Sequence, residues 1–130
     1  MPRILLVDDD ESFRPMLHET LERFGYEVVT AVNGREAIDR YRERPADLVL
    51  TDVIMPDKEG LETIREIRRE WPDARIIAMS GGGCTSSDNY LKMARTMGAA
   101  EVLSKPFSNQ DLLAAIEGVL GRRDVAVPLT

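Results

Sequence analysis

Five short apolar runs, spaced along most of the chain, constrain its fold more than any other feature of the sequence. They are residues 4–7, 28–31, 48–51, 76–79 and 102–104. Each run is too short for a helix, is rich in Val, Ile and Leu, and shows no alternation of polar and apolar residues. Strands buried on both faces, as in parallel sheets covered by helices, have this pattern. We therefore predict five buried strands.

Segments with the apolar spacing of amphipathic helices follow these runs. In the first segment one apolar stripe is formed by Phe13, Met16, Leu17, Leu21 and Phe24. Five strands that each precede a helix predict the α/β class, with βαβ connections and a doubly wound sheet. The expected fold has a five-stranded parallel sheet in strand order 2-1-3-4-5 and five helices.

Capping and stop residues predict where several helices begin and end. The second helix opens with Asn33 and Glu36 at the spacing of a capping box. The third runs from about Lys58 to Glu70, because Pro72 stops it.

The last two helices have boundary signals of the same kind. The fourth ends at Gly98, and the fifth starts at a Ser108 cap and ends at Gly121. These boundaries predict one domain over residues 1–121, followed by a flexible tail over residues 122–130.

Length and charge exclude several classes of protein. The chain has 130 residues, which fits one domain, and its 17 Lys and Arg against 23 Asp and Glu leave a net charge of −6. A domain that grips nucleic acid is usually basic, so we expect no direct DNA binding. Cys84 is the single cysteine, which suits a reducing compartment. No signal peptide or membrane-length apolar run is present, so we expect a cytoplasmic protein.

The unusual polar residues fall at the carboxyl ends of the predicted strands. These residues are Asp8 and Asp9 after the first strand, Asp52 after the third, Ser80 after the fourth and Lys105 after the fifth. Open α/β sheets bind ligands at this edge, where the strand order reverses. In strand order 2-1-3-4-5 the first and third strands are neighbours, so Asp8 and Asp9 are expected beside Asp52.

This set of side chains suits phosphoryl transfer. Carboxylates crowded together repel one another, and a divalent cation such as Mg²⁺ offsets that repulsion at an oxygen-lined site. Ser80 adds a hydroxyl donor and Lys105 a positive charge, as needed to hold phosphoryl oxygens. Asp52 would then be the nucleophile that forms an acyl phosphate.

Four segments carry a family resemblance that covers residues 3 to about 120. They are LLVDDDES, LVLTDVIMP followed by Gly60, IIAMSGGG and LSKPF. With these segments in order, the sequence resembles a response-regulator receiver domain of bacterial two-component signalling, of the single-domain kind found in chemotaxis. The resemblance implies a flavodoxin-like three-layer sandwich. It also implies a domain that takes a phosphoryl group from a histidine kinase or histidine phosphotransfer protein and signals through altered protein contacts.

The resemblance assigns a role to each candidate residue. Asp52 is the phosphoacceptor, Ser80 the switch hydroxyl and Lys105 the cation that pairs with the phosphoryl group. Asp9 and Asp52 bind Mg²⁺ directly, together with the backbone carbonyl of Ile54, whereas Asp8 acts through water. The domain then catalyses only its own phosphorylation and dephosphorylation, so we do not expect an enzyme acting on a separate substrate.

Other positions bear on the switch and on the partner. The resemblance implies a cis peptide bond before Pro106, and a partner surface on the fourth helix, fifth strand and fifth helix, with Tyr90, Met93 and Met97 as positions to test. Many receivers have an aromatic residue three positions before the lysine, where this chain has Val102. A switch that turns a large ring is therefore not expected here.

Two alternatives remain open from the residues. Because Val102 indicates an altered switch, the chain could be a receiver-fold adaptor that is never phosphorylated, although none of the acids or the lysine is missing. A phosphatase resembling the haloacid dehalogenase type would use Asp8 and Asp10. Against the phosphatase, 130 residues leave no room for the cap domain of such enzymes, and no acidic pair follows a strand after Lys105. Asp52 would also have no role.

Overall fold

Strands and helices alternate through the chain, and each of the five apolar runs lies in a strand. The computed structural model describes residues 2–53, 59–80, 92 and 94–126. In chain order the elements are β1 (Arg3–Val7), α1 (Phe13–Arg23), β2 (Glu27–Ala31), α2 (Gly34–Glu43), β3 (Leu48–Asp52), α3 (Glu59–Glu70), β4 (Ile76–Ser80), α4 (helical residues 92 and 94–97), β5 (Glu101–Ser104) and α5 (Asn109–Ala126).

The strands form one parallel sheet in the order β2-β1-β3-β4-β5, which confirms the predicted fold class and strand order. Val7 at the end of β1 pairs with Thr51 near the end of β3. Ser80 at the end of β4 pairs with Ser104 at the end of β5. The register therefore brings the carboxyl ends of these four strands to one edge of the sheet.

Helices cover both faces of the sheet, which explains why the strand sequences are apolar without alternation. In β1, Leu5 and Val7 pack into a core cluster with α2, α3 and α4. Ile4 and Leu6 point to the opposite face and pack into a second cluster with α1 and α5. Successive strand side chains point to opposite faces, so burial of both faces requires an apolar residue at nearly every position.

The apolar stripe of α1 is narrower than predicted. Leu17 and Leu21 are buried, but Met16 is 58% exposed. A helix turns by about 100° per residue, so Met16 lies about a quarter of a turn away from Leu17. The prediction that Met16 belongs to the buried stripe is therefore wrong.

The predicted helix caps are present in the structure. The side chain of Asn33 accepts a hydrogen bond from the backbone N–H of Glu36 at 2.8 Å. Ser108 Oγ accepts one from the backbone N–H of Asp111 at 2.9 Å. Gly98 follows α4 with a φ of 124°, a left-handed conformation that ends a helix and favours glycine.

The fifth helix is longer than the sequence predicts. It continues through Gly121 and ends at Ala126, so α5 has 18 residues. A glycine inside a helix costs only about 1 kcal/mol relative to alanine, and two arginines, which favour helix, follow it in the sequence.

No helix in the described part of the chain combines the length and the apolar character needed to cross a membrane.

Candidate functional site

One ammonium group joins two of the predicted carboxylates at the carboxyl edge of the sheet. Lys105 follows β5, and its Nζ donates to Asp8 Oδ2 at 2.9 Å and to Asp52 Oδ2 at 2.8 Å. Asp8 directly follows β1, whereas Asp52 is the last residue of β3. Residues that are far apart in the sequence therefore meet as strand order 2-1-3-4-5 predicts.

These three side chains are almost entirely removed from water. The side chain of Asp8 is 0% exposed, that of Asp52 is 7% exposed and that of Lys105 is 14% exposed. Burial alone would lower the pKa of Lys105, but the hydrogen bonds and charges of Asp52 and Asp8 outweigh it and raise the pKa above its ordinary value of 10.5. Lys105 is therefore positively charged at neutral pH, and it balances one of the two carboxylates.

Ser80 lies beside this group with a hydroxyl that no described residue satisfies. Ser80 is fully buried, and its Oγ has no hydrogen-bond partner among the residues that the structure describes. Its backbone carbonyl accepts a hydrogen bond from the backbone N–H of Lys105 at 2.8 Å. Because buried hydroxyls are normally hydrogen-bonded, an oxygen acceptor brought to this edge would be stabilised by Ser80.

The three consecutive aspartates after β1 have three different surroundings. Asp8 Oδ1 accepts a hydrogen bond from the backbone N–H of Asp10 at 2.9 Å. Asp10 Oδ1 in turn accepts hydrogen bonds from the backbone N–H groups of Phe13 at 3.0 Å and Ser12 at 2.8 Å, and these bonds lower the pKa of Asp10. Asp9 is exposed. The Asp10 carboxylate therefore satisfies two backbone N–H groups at the start of α1.

We expect Asp10→Ala to lower the urea midpoint of unfolding at pH 7, because two backbone N–H groups lose their acceptor. The folded-state pKa of Asp10 lies below its ordinary value of 3.8, so the stabilisation is present above pH 3.8 and is lost as pH falls through the folded-state pKa. Urea titrations from pH 7 to pH 3 should show the difference from wild type shrinking. Asp10→Ser, which keeps an oxygen acceptor, should recover much of the loss at pH 7. A difference that stays constant with pH would contradict a role for the ionised carboxylate.

The ring of Phe13 lies against Lys105, and the ring of Phe107 packs against that of Phe13. The ring of Phe13 has its centroid 4.0 Å from Lys105 Nζ. Phe107 packs edge-on against Phe13, with ring centroids 6.0 Å apart and an interplanar angle of 87°. The peptide bond between Lys105 and Pro106, just before Phe107, is cis, as the family resemblance implies. The sequence assigned Phe13 only to an apolar stripe, and no pattern in the sequence indicated its contact with the lysine.

The remaining predicted positions are only partly described. The carbonyl of Ile54 and the side chains of Tyr90 and Met93 lie outside the described residues. Val102 on β5 and Met97 on α4 are half-buried and pack against the core cluster that contains Leu5 and Val7. The position where many receivers have an aromatic residue is therefore occupied by a small side chain packed into the core.

The donor atoms at this edge fit a divalent cation, although no complete set of ligands is seen. Within residues 2–53, 59–80, 92 and 94–126, no group of three His, Cys, Asp or Glu side chains is arranged to hold a metal ion. Asp8 and Asp52 both bond to Lys105, and the next residue after Asp8, Asp9, is exposed. Carboxylate oxygens are the ligands that Mg²⁺ prefers. The chemistry of the donors therefore agrees with Mg²⁺, and the coordination stays a prediction.

Comparison with known proteins identifies the family. Residues 4–117 match the response regulator receiver domain, which is most of the chain. The chain belongs to this family, as the four sequence segments predict.

Similar proteins cover nearly the whole chain. The response regulator receiver protein CpdR of Brucella abortus is 38% identical over 120 residues, which are 92% of this chain and 98% of that protein. The chemotaxis protein CheY of Thermotoga maritima is 36% identical over 118 residues, 90% of this chain and 96% of that protein. The crystal structure of a response regulator receiver domain protein from Clostridium thermocellum matches with a TM-score of 0.86 at 32% identity, covering 98% of this chain and 100% of that one.

Proposed function

We propose that Asp52 accepts a phosphoryl group from the phosphohistidine of a histidine kinase or histidine phosphotransfer protein, and that the modified domain signals through altered protein contacts. Membership of the receiver family supports the general class. The observation that carries the proposal for this chain is the position of Lys105 Nζ, 2.8 Å from Asp52 Oδ2 and 2.9 Å from Asp8 Oδ2. A cation held between two carboxylates is placed to receive the negative charge of a phosphoryl group on Asp52.

The proposed transfer is a substitution at phosphorus. An oxygen of Asp52 forms a bond to phosphorus as the phosphorus–nitrogen bond of the donor breaks, and the imidazole leaves with the electron pair of that bond. Lys105 then shares its ammonium protons with a phosphoryl oxygen. The buried hydroxyl of Ser80 supplies a second donor, because its Oγ has no partner among the described residues.

We propose Mg²⁺ as the cofactor. Asp9, Asp52 and the backbone carbonyl of Ile54 would hold it directly, and Asp8 would act through a water molecule. When bound, Mg²⁺ would neutralise charge on the phosphoryl oxygens, which lowers the barrier to attack by a carboxylate. Lys105 alone balances only one of the two buried carboxylates, so a further positive charge is stabilising at this edge.

The domain, on this proposal, acts only on itself. It catalyses its own phosphorylation and dephosphorylation and turns over no separate substrate. Its output passes to another protein through α4, β5 and α5, where Met97 is half-buried. Because Val102 is not a large ring, the proposed output does not use an aromatic side chain that turns at this position.

Intact-mass analysis tests the proposal directly. The wild-type chain incubated with Mg²⁺ and either acetyl phosphate or phosphoramidate should gain one phosphoryl group. Asp52→Asn should gain none, and a chelator of divalent cations should prevent the gain in wild type. Asp39→Asn is the matched control, because Asp39 is an exposed aspartate on α2, with a side chain 63% exposed. This control should be phosphorylated at the wild-type rate.

A short-lived acyl phosphate could escape detection by mass, so a stable mimic completes the experiment. Fluoroberyllate with Mg²⁺ should give a bound ¹⁹F NMR signal in wild type and none in Asp52→Asn. If wild type shows no mass gain and no bound fluoride signal, the proposal is overturned. That outcome would favour the adaptor that is never phosphorylated. A mass gain that survives Asp52→Asn but not Asp8→Asn would instead favour the phosphatase alternative.

A further inference from the structure

We propose that Phe13 is a positioning residue for Lys105. The Phe13 ring holds the ammonium group of Lys105 in the orientation that phosphoryl transfer to Asp52 requires. This inference rests on the function proposed above, in which Lys105 receives the charge of the phosphoryl group. The observation behind it is the distance of 4.0 Å between Lys105 Nζ and the centroid of the Phe13 ring. Cations are attracted to the face of an aromatic ring within about 6 Å of its centroid.

The ring adds a third contact to the ammonium group, beside its two carboxylate partners. An ammonium has three N–H donors, and those of Lys105 are directed in part to Asp8 Oδ2 and Asp52 Oδ2. The side chain of Lys105 is 14% exposed, so water contributes little to its solvation. An aromatic face against a partly desolvated cation attracts it more strongly than an exposed one does. The ring therefore helps to keep Lys105 in place when a phosphoryl group changes the charge on Asp52.

Two features fix the Phe13 ring itself. Phe107 contacts it edge-on at 6.0 Å, an arrangement that aromatic pairs favour. The backbone N–H of Phe13 is bonded to the Asp10 carboxylate at 3.0 Å, which holds the first residue of α1 beside the site. Asp10 and Phe107 therefore hold Phe13 in place, and Phe13 in turn contacts Lys105.

A purely structural role for Phe13 is the competing explanation, because its ring also packs against the core cluster of α1 and α5. Fluorination separates the two roles. Each added fluorine weakens the negative potential of the ring face and changes the volume of the side chain very little. Packing would therefore tolerate the substitution, whereas attraction to a cation would decline with each fluorine.

The experiment replaces Phe13 with 4-fluoro-, 3,5-difluoro- and 3,4,5-trifluorophenylalanine in the full chain. The rate of Asp52 phosphorylation is measured with acetyl phosphate at saturating Mg²⁺. We expect the logarithm of the rate to fall steadily along the series, by about threefold to tenfold at trifluorophenylalanine. Phe13→Leu should lose a similar factor, and Phe13→Tyr should keep most of the rate. The same analogues at Phe24, a half-buried residue of the same core cluster, should leave the rate unchanged.

NMR of the Lys105 ammonium protons gives a readout that does not depend on phosphorylation. A ring face 4.0 Å from Nζ shields these protons, so their signal should move downfield in Phe13→Leu and stay near its wild-type position in Phe13→Tyr. Normal phosphorylation of wild type with equal rates across the fluorinated series would overturn the inference and leave the proposed function standing. If wild type shows neither phosphorylation nor a bound fluoroberyllate signal, the proposed function fails, and an unchanged ammonium signal in Phe13→Leu would overturn the contact as well.

Discussion

Lys105→Met is expected to lower the free energy of unfolding by about 3 kcal/mol, because it leaves two buried carboxylates without their shared cation. Asp8 and Asp52 both bond to Lys105 Nζ, and their side chains are 0% and 7% exposed. Removal of one partner from a buried ion pair typically costs about 3–5 kcal/mol. Lys105 retains some contact with water, with a side chain 14% exposed, so we expect the lower end of this range. The same substitution should abolish phosphorylation of Asp52.

Urea denaturation of a double-mutant cycle tests this expectation. Asp52→Asn alone should be neutral or stabilising, because it removes one of two carboxylates that share a single ammonium. Lys105→Met made in the Asp52→Asn background should therefore cost less than half of what it costs in wild type. Equal losses in the two backgrounds would mean that the destabilisation comes from lost packing of the lysine stem instead of from unpaired charge.

Gly98→Ala is also expected to lower the free energy of unfolding by about 3 kcal/mol, through backbone strain and a steric clash together. Gly98 has a φ of 124°, and a Cβ built there would lie 2.6 Å from Arg68 Cγ. Arg68 cannot move away without loss, because its guanidinium donates to the backbone carbonyl of Pro72 and to that of Ala74, the latter at 2.8 Å. The substitution therefore affects both the end of α4 and the turn after α3.

Gly25→Ala is the matched control. Gly25 has a φ of 94°, but a Cβ built there would meet no atom within 4 Å. Backbone strain alone should cost about 1–2 kcal/mol at this position. Urea denaturation should therefore give Gly98→Ala a lower midpoint than Gly25→Ala. Equal midpoints would mean that Arg68 absorbs the added methyl group without losing its hydrogen bonds.

The fold could be predicted from the sequence because burial on both faces leaves a strong signal. β3, for example, has five buried residues, and the apolar run at residues 48–51 identifies it directly. Helix caps were predicted where a side chain bonds to its own helix, as at Asn33. The end of α5 was predicted too early, because a single glycine such as Gly121 lowers helix stability without ending the helix.

The convergence of Asp8, Asp52 and Lys105 was predictable for a different reason. Each residue ends or follows a strand, so the strand order places Asp8 beside Asp52, and the long side chain of Lys105 reaches both from the end of β5. The roles of Asp10 and Phe13 were not predictable in this way. They depend on how the chain turns into α1 and on which way a ring points, and neither property leaves a repeating pattern in the sequence.

The hydrogen bond from the Lys105 backbone to the Ser80 carbonyl has a consequence for how such a domain can diversify. This bond of 2.8 Å continues the pairing of β4 with β5, so the spacing of the two residues is set by the sheet. Insertions or substitutions in surface loops elsewhere leave that spacing intact. A lineage of such domains can therefore acquire new partners through its loops and helix surfaces while the spacing of Ser80 and Lys105 stays the same.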